Sequence, residues 1–133
     1  MIILDTSFII SYFNTRDQNH PKAAKSMKKI HEHLCITDYI FDEVVTVSLI
    51  RLKSLDRASK IGEMLLKSLK IIDVEKTSFD NAWSLFCKQK KTVLSFTDCM
   101  TVSVMQENGI SKIATFDEDF GKISGIEIIG LTS

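Results

Sequence analysis

Four carboxylates stand where a hard cation could be held: Asp5, Glu43, Asp98 and Asp117. Asp5 and Asp117 follow short apolar runs, Glu43 lies inside a helical pattern, and Asp98 sits at the start of another. Each has an ordinary alternative. Asp5 and Asp98 can simply offset the positive end of a helix, and Ser95-Phe96-Thr97-Asp98 fits a capping box. Glu43 can be a surface glutamate, and Asp117-Glu118-Asp119 a polar turn before Phe120, which is the preferred reading for Asp119. Gathered in one place, however, four carboxylates repel and raise one another's pKa until a cation joins them. Magnesium or manganese takes oxygen ligands, keeps several waters and is completed by substrate phosphate, so such a cluster suits phosphodiester chemistry.

The elements that must position these acids are legible as short apolar strands alternating with helices. Ile2 to Leu4 reads as a buried strand, and Phe8, Ile9, Tyr12 and Phe13 then recur at helical spacing. His20-Pro21 opens a second helix, with proline in the first turn. Leu34 to Thr37 is a second strand, and Asp38 is the expected cap of the helix carrying Glu43. A helix over 56–69, a strand over 71–74 and a helix from about 78 to 88 follow. Ser95 or Thr97 caps the next helix, and Gly109 ends it as a left-handed cap. Strands over 112–115 and 127–129 complete the pattern. The expected fold is α/β, with a central parallel sheet of four to five strands covered on both faces by helices. In such sheets ligands sit beyond the carboxyl ends of the strands, near the switch in strand order. Asp5 and Asp117 fall there.

With 133 residues, the chain is expected to form a single domain over 1–133. Seventeen basic residues balance seventeen acidic ones, so no global field draws it to nucleic acid or anionic lipid. No apolar run approaches membrane-spanning length, and the N-terminal run is broken by Asp5 without a basic segment before it, unlike a secretory signal. Cys35, Cys87 and Cys99 are odd in number and far apart, which fits reduced thiols of a cytoplasmic protein; all three are expected in or near the core. His31 and His33 flank Glu32 at a spacing that points them apart on a helix, a poor metal clamp. Trp83 and Phe86, at helical spacing, are expected to be core rather than base-stacking platforms.

In this order, Asp5-Thr6-Ser7 after the first strand, mid-helix Glu43, Ser95-Phe96-Thr97-Asp98, and Thr115-Phe116-Asp117 after the fourth strand resemble the PIN-domain nucleases, and more narrowly the VapC-type toxins. The likeness covers nearly the whole chain. The stretch from Asp17 through His20 to Ala23 is similar to that family's acid-x-x-His segment before its second helix. The resemblance implies a three-layer PIN-like fold, a metal site of three or four carboxylates and endonucleolytic cleavage of RNA with Mg2+ or Mn2+. Carried over residue by residue, it makes Asp5, Glu43, Asp98 and Asp117 the catalytic metal ligands. Ser7 and Thr115 become supporting hydroxyls, and Thr6 and Thr97 serve either that role or only as caps. Asp42 beside Glu43 leaves a register ambiguity, decided for Glu43 by the following Val44-Val45. A homodimer and a small antitoxin that occupies the active-site groove are the implied partners. Lys88, Lys90 and Lys91, shortly before Asp98, are either phosphate contacts or a solvated surface.

Other readings make distinct demands. A receiver-type signalling domain wants paired acids after strand one, an aspartate after strand three and a lysine after strand five. Asp5 has no paired acid, the third strand region ends Ile72-Asp73-Val74-Glu75, and Gly130 to Ser133 contains no lysine. A haloacid-dehalogenase-type phosphatase wants aspartate two residues after Asp5, where Ser7 stands. An RNA-processing nuclease outside a toxin pair, or a PIN-like module that only binds RNA or protein, stays open on the same residues.

Overall fold

The computed structural model describes residues 1–130. The last three positions of the expected 1–133 domain lie outside the described residues. Five strands form one parallel sheet: β1 (Ile2–Leu4), β2 (Leu34–Thr37), β3 (Lys70–Ile72), β4 (Lys112–Ala114) and β5 (Glu127–Ile129), in spatial order β3-β2-β1-β4-β5. The central strands are the apolar ones. Ile2, Ile3, Ile36 and Ile113 are fully buried, whereas the edge strands begin with exposed Lys70 and Glu127, charges that discourage further strand pairing.

Six α-helices cover the sheet: α1 (Thr6–Phe13), α2 (His20–Lys29), α3 (Asp38–Leu52), α4 (Leu55–Ser68), α5 (Lys76–Cys87) and α6 (Phe96–Asn108), with a 3-10 helix at Glu118–Lys122. α6 is buried from Cys99 to Met105 without interruption, so it forms the centre of one helical layer, with α5 packed against it. α4 packs on α3, and α1 contacts both α2 and α3. The expected three-layer architecture is observed.

Several local expectations are corrected. α3 is capped by Thr37, whose side chain accepts from the Ile40 N–H at 3.0 Å, and not by Asp38. Asp38 lies in the first turn, and its Oδ1 accepts from the Val74 N–H at 3.1 Å, tying α3 to the end of β3. The third strand spans Lys70–Ile72 rather than 71–74, because its pairing register is set by β2: Cys35 faces Lys70 and Thr37 faces Ile72. Cys35 and Cys99 are buried, but Cys87 is exposed at the end of α5. Trp83 and Phe86 are also exposed, since α5 turns only Ser78 and Ala82 fully inward. Gly109 does adopt the left-handed cap (φ 64°). Among the described residues no helix is long and apolar enough to cross a membrane.

Candidate active site

The chain leaves β1 for β2 and β3 on one side and returns to β4 and β5 on the other, so β1 and β4 flank the switch in strand order. Asp5 is the residue after β1 and the N-cap position of α1, yet its side chain makes no capping bond. It is held sideways instead. Its Oδ2 accepts from the Thr115 hydroxyl at 2.7 Å and from the Ser7 hydroxyl at 3.1 Å. A hydroxyl has one proton, so both are committed to Asp5. Thr115 Oγ1 in turn accepts from the Asp117 N–H at 3.0 Å, and Ser7 Oγ from the Phe116 N–H at 3.4 Å. The two hydroxyls therefore lock the turn after β4 to the acid after β1.

Asp5 is only 5% exposed. Burial, and next the charge of Asp98, push its carboxyl from the ordinary 3.8 up to about 7, although the hydrogen bonds from Thr115, Ser7 and the Thr6 backbone oppose this. Burial also raises Asp98. The Ser95 hydrogen bonds oppose that shift, and the charges of Asp117 and Glu43 add to it. Asp98 is at the same time half of a capping box: Ser95 N–H donates to Asp98 Oδ2 at 3.2 Å and Asp98 N–H to Ser95 Oγ at 3.1 Å. The capping and functional readings of Asp98 are thus compatible. One carboxylate oxygen orients the side chain at the helix start while the residue lines the cleft.

All four acids line one open cleft of about 420 Å3, together with Thr6, Ser7 and Ser95. Of the two neighbouring acids on α3, Glu43 lines it and Asp42 does not. Asp117 caps the 3-10 helix by accepting from the Asp119 N–H at 2.9 Å and still borders the cleft. Among the described residues no three His, Cys, Asp or Glu side chains form a ready-made metal cage. The residues nevertheless fit a hard divalent cation. The acids around the cleft offer only oxygen donors, burial and neighbouring acids raise the carboxyls of Asp5 and Asp98, and the buried Thr6 hydroxyl has no partner among the described residues.

Thr115 is fully buried beneath the cleft and acts on Asp5. Thr97 is not on the cleft; its carbonyl accepts from the Thr101 hydroxyl. Lys88, Lys90 and Lys91 are exposed and outside the cleft. Asp119 is outside it too, bonding Val93 N–H and Lys122 Nζ, each at 2.9 Å. His20 serves structure: its Nδ1 lies 2.9 Å from the Ser11 carbonyl, fastening α2 to α1. Sequence reasoning missed Arg51, which lines the cleft from the last turn of α3. The signal was available, because Glu43, Val47 and Arg51 recur every four residues on one helix face and all three line the cleft. Asp17 and Asn19 also border it.

The fold has known counterparts. VapC20 of Mycobacterium tuberculosis, a sarcin–ricin-loop-cleaving toxin, matches with a TM-score of 0.88 at 22% identity, over 97% of this chain and 99% of that chain. A toxin–antitoxin complex from Klebsiella pneumoniae matches with a TM-score of 0.73 at 20% identity, over 96% of each chain. VapBC2 of Rickettsia felis, bound to a DNA fragment from its promoter, matches with a TM-score of 0.71 at 17% identity, over 96% of this chain and 97% of that chain. No curated protein sequence matches. The family profile for the PIN domain matches residues 2–126, which takes in every acid of the cleft, and the chain therefore belongs to the PIN-domain family.

Proposed function

We propose that this protein is a metal-dependent endoribonuclease in which Asp5, Glu43, Asp98 and Asp117 hold Mg2+ or Mn2+. The observation that carries this is the convergence of four acids, from both ends of the chain, on one cleft where burial and mutual charge hold Asp5 and Asp98 above the usual carboxylate range. Two like-charged neighbours in a partly dry cleft cost stability unless a cation offsets them. A divalent ion there would lower the pKa of a water and neutralise charge building on the scissile phosphate. The chain's own contributions are positional. Thr115 and Ser7 fix Asp5, Ser95 fixes Asp98, and Arg51, lining the same cleft, supplies a cation that can bind a phosphate of the RNA.

The best biological reading is the toxin of a toxin–antitoxin pair, acting in the cytoplasm as a homodimer and restrained by a small antitoxin. The chain's match over nearly the full length of VapC20 and of two toxin–antitoxin complexes supports it. An RNA-processing role would use the same chemistry on a different target. The test is incubation of the protein with structured and single-stranded RNA under Mn2+ titration. Cleavage that requires the ion, and that falls at least about 100-fold in Asp98→Asn, is expected. RNA left intact by wild type at saturating Mn2+, or cut equally well in EDTA, overturns the assignment.

A further inference from the structure

The aromatic face of α5 has no role in the catalytic cleft. Trp83 is 56% exposed and Phe86 38% exposed, and their rings stack with centroids 5.8 Å apart and planes 14° from parallel. Phe79 is exposed on the same face. Beneath them Phe96 meets all three rings edge-on, at 5.1 Å from Phe79 and 6.1 Å from Trp83 and Phe86. Phe96 is the first residue of α6, between cleft residues Ser95 and Asp98, so this platform is braced against the backbone that carries a catalytic acid. The helix then runs directly into exposed Lys88, Lys90 and Lys91, none of which forms an ion pair among the described residues.

We infer that Trp83 and Phe86 form a stacking platform for unpaired bases of a single-stranded nucleic acid, whose phosphates run along Lys88, Lys90 and Lys91. The inference rests on the nuclease reading for its substrate class, but on different residues. Flat aromatic rings fixed by an edge-on ring below present a rigid face that any base can cover, and adjacent cations track the backbone; this pairing is the physical basis of sequence-tolerant single-strand binding. Charge favours this occupant: three exposed lysines without an ion-pair partner among the described residues adjoin the aromatic face, and phosphates are their complement.

Trp83 is the chain's one tryptophan, so its emission reports on this face alone. The protein, with divalent ions chelated to prevent cleavage, is titrated with a labelled single-stranded oligoribonucleotide of about 12 nucleotides. Saturable quenching of Trp83 by the oligonucleotide but not by inorganic polyphosphate is expected, and the Kd should rise about 5-fold or more in Phe86→Ala and in Trp83→Ala, the latter read from the label. Emission that stays constant while the label reports binding, or no binding by either signal, overturns the platform. So does emission that follows protein concentration and ignores RNA, which assigns the face to self-association. Quenching without any Mn2+-dependent cleavage would leave the platform standing and remove the nuclease reading. Ion-dependent cleavage with unmoved emission would do the reverse.

Discussion

At the scale of single residues, Asp5 concentrates the conflict on which the site is built. Two hydroxyls and a backbone N–H favour its charged form, yet burial and Asp98 prevail, so the free protein keeps this carboxyl protonated up to about pH 7. An unfolded chain would release that proton near pH 3.8. Between these values the folded state binds more protons than the unfolded state, so this residue's contribution to stability is full below pH 3.8 and is lost as pH rises through 7. The interval corresponds to at most about 4 kcal/mol. Asp5→Asn, neutral at every pH, should therefore melt higher than wild type at pH 8 without metal, with little difference at pH 4, while losing cleavage at both. Melting curves across pH check this; equal sensitivity to pH in the two proteins would mean that Asp5 is not the group responsible.

At the scale of elements, what the sequence makes legible follows from how local each signal is. β1 announces itself as an apolar run ending in an acid, and Gly109 and Ser95 mark the ends of α6 through chemistry within a few residues. Position alone leaves each of the four acids an ordinary reading as a cap or surface charge; their order along the chain, similar to the PIN-domain pattern, is what singles them out, and all four line one cleft. The boundaries of β3 could not be read locally, because its register belongs to β2. Nor could the exposure of Trp83 and Phe86, since helical spacing marks a face without saying whether another layer covers it. Arg51 carries no local signal of its own; only its place on the helix face of Glu43 and Val47 links it to the cleft. The capping box makes α6 both an element and a site component. Ser95→Ala should cost about 1 kcal/mol in urea unfolding. It should also lower cleavage, because the Asp98 side chain loses the ordered helix start that orients it, and Ser95→Thr should recover both. A variant as unstable as expected but fully active would separate the cap from the site.

At the scale of the whole molecule, the acids come from four places that the fold alone unites: the ends of β1 and β4, the middle of α3 and the start of α6. Behind them the sheet is closed tightly. Gly130 follows β5 at φ 113°, and a Cβ there would meet the Thr115 carbonyl at 3.3 Å and the Phe8 ring at 3.4 Å, so the backbone packs directly on Thr115, one of the two residues that fix Asp5. An ion joining all four acids would thus bridge both halves of the parallel sheet and both helical layers. Binding only the folded state, it should raise stability by about 2.7 kcal/mol at a hundred times its Kd. For a chain of this size that is a rise in Tm of about 10 °C. Glu43 is α3's only acid on the cleft, so Glu43→Gln removes one helix from the bridge while leaving the strand-end acids in place. That variant should keep less than about half of the Mn2+-induced rise at the same ion concentration, and its unliganded Tm should stay equal to or above that of wild type because one repelling charge is gone. Calorimetry with and without Mn2+ measures both quantities. A full ion-induced rise in the variant would place the cation away from α3 and break the four-acid site.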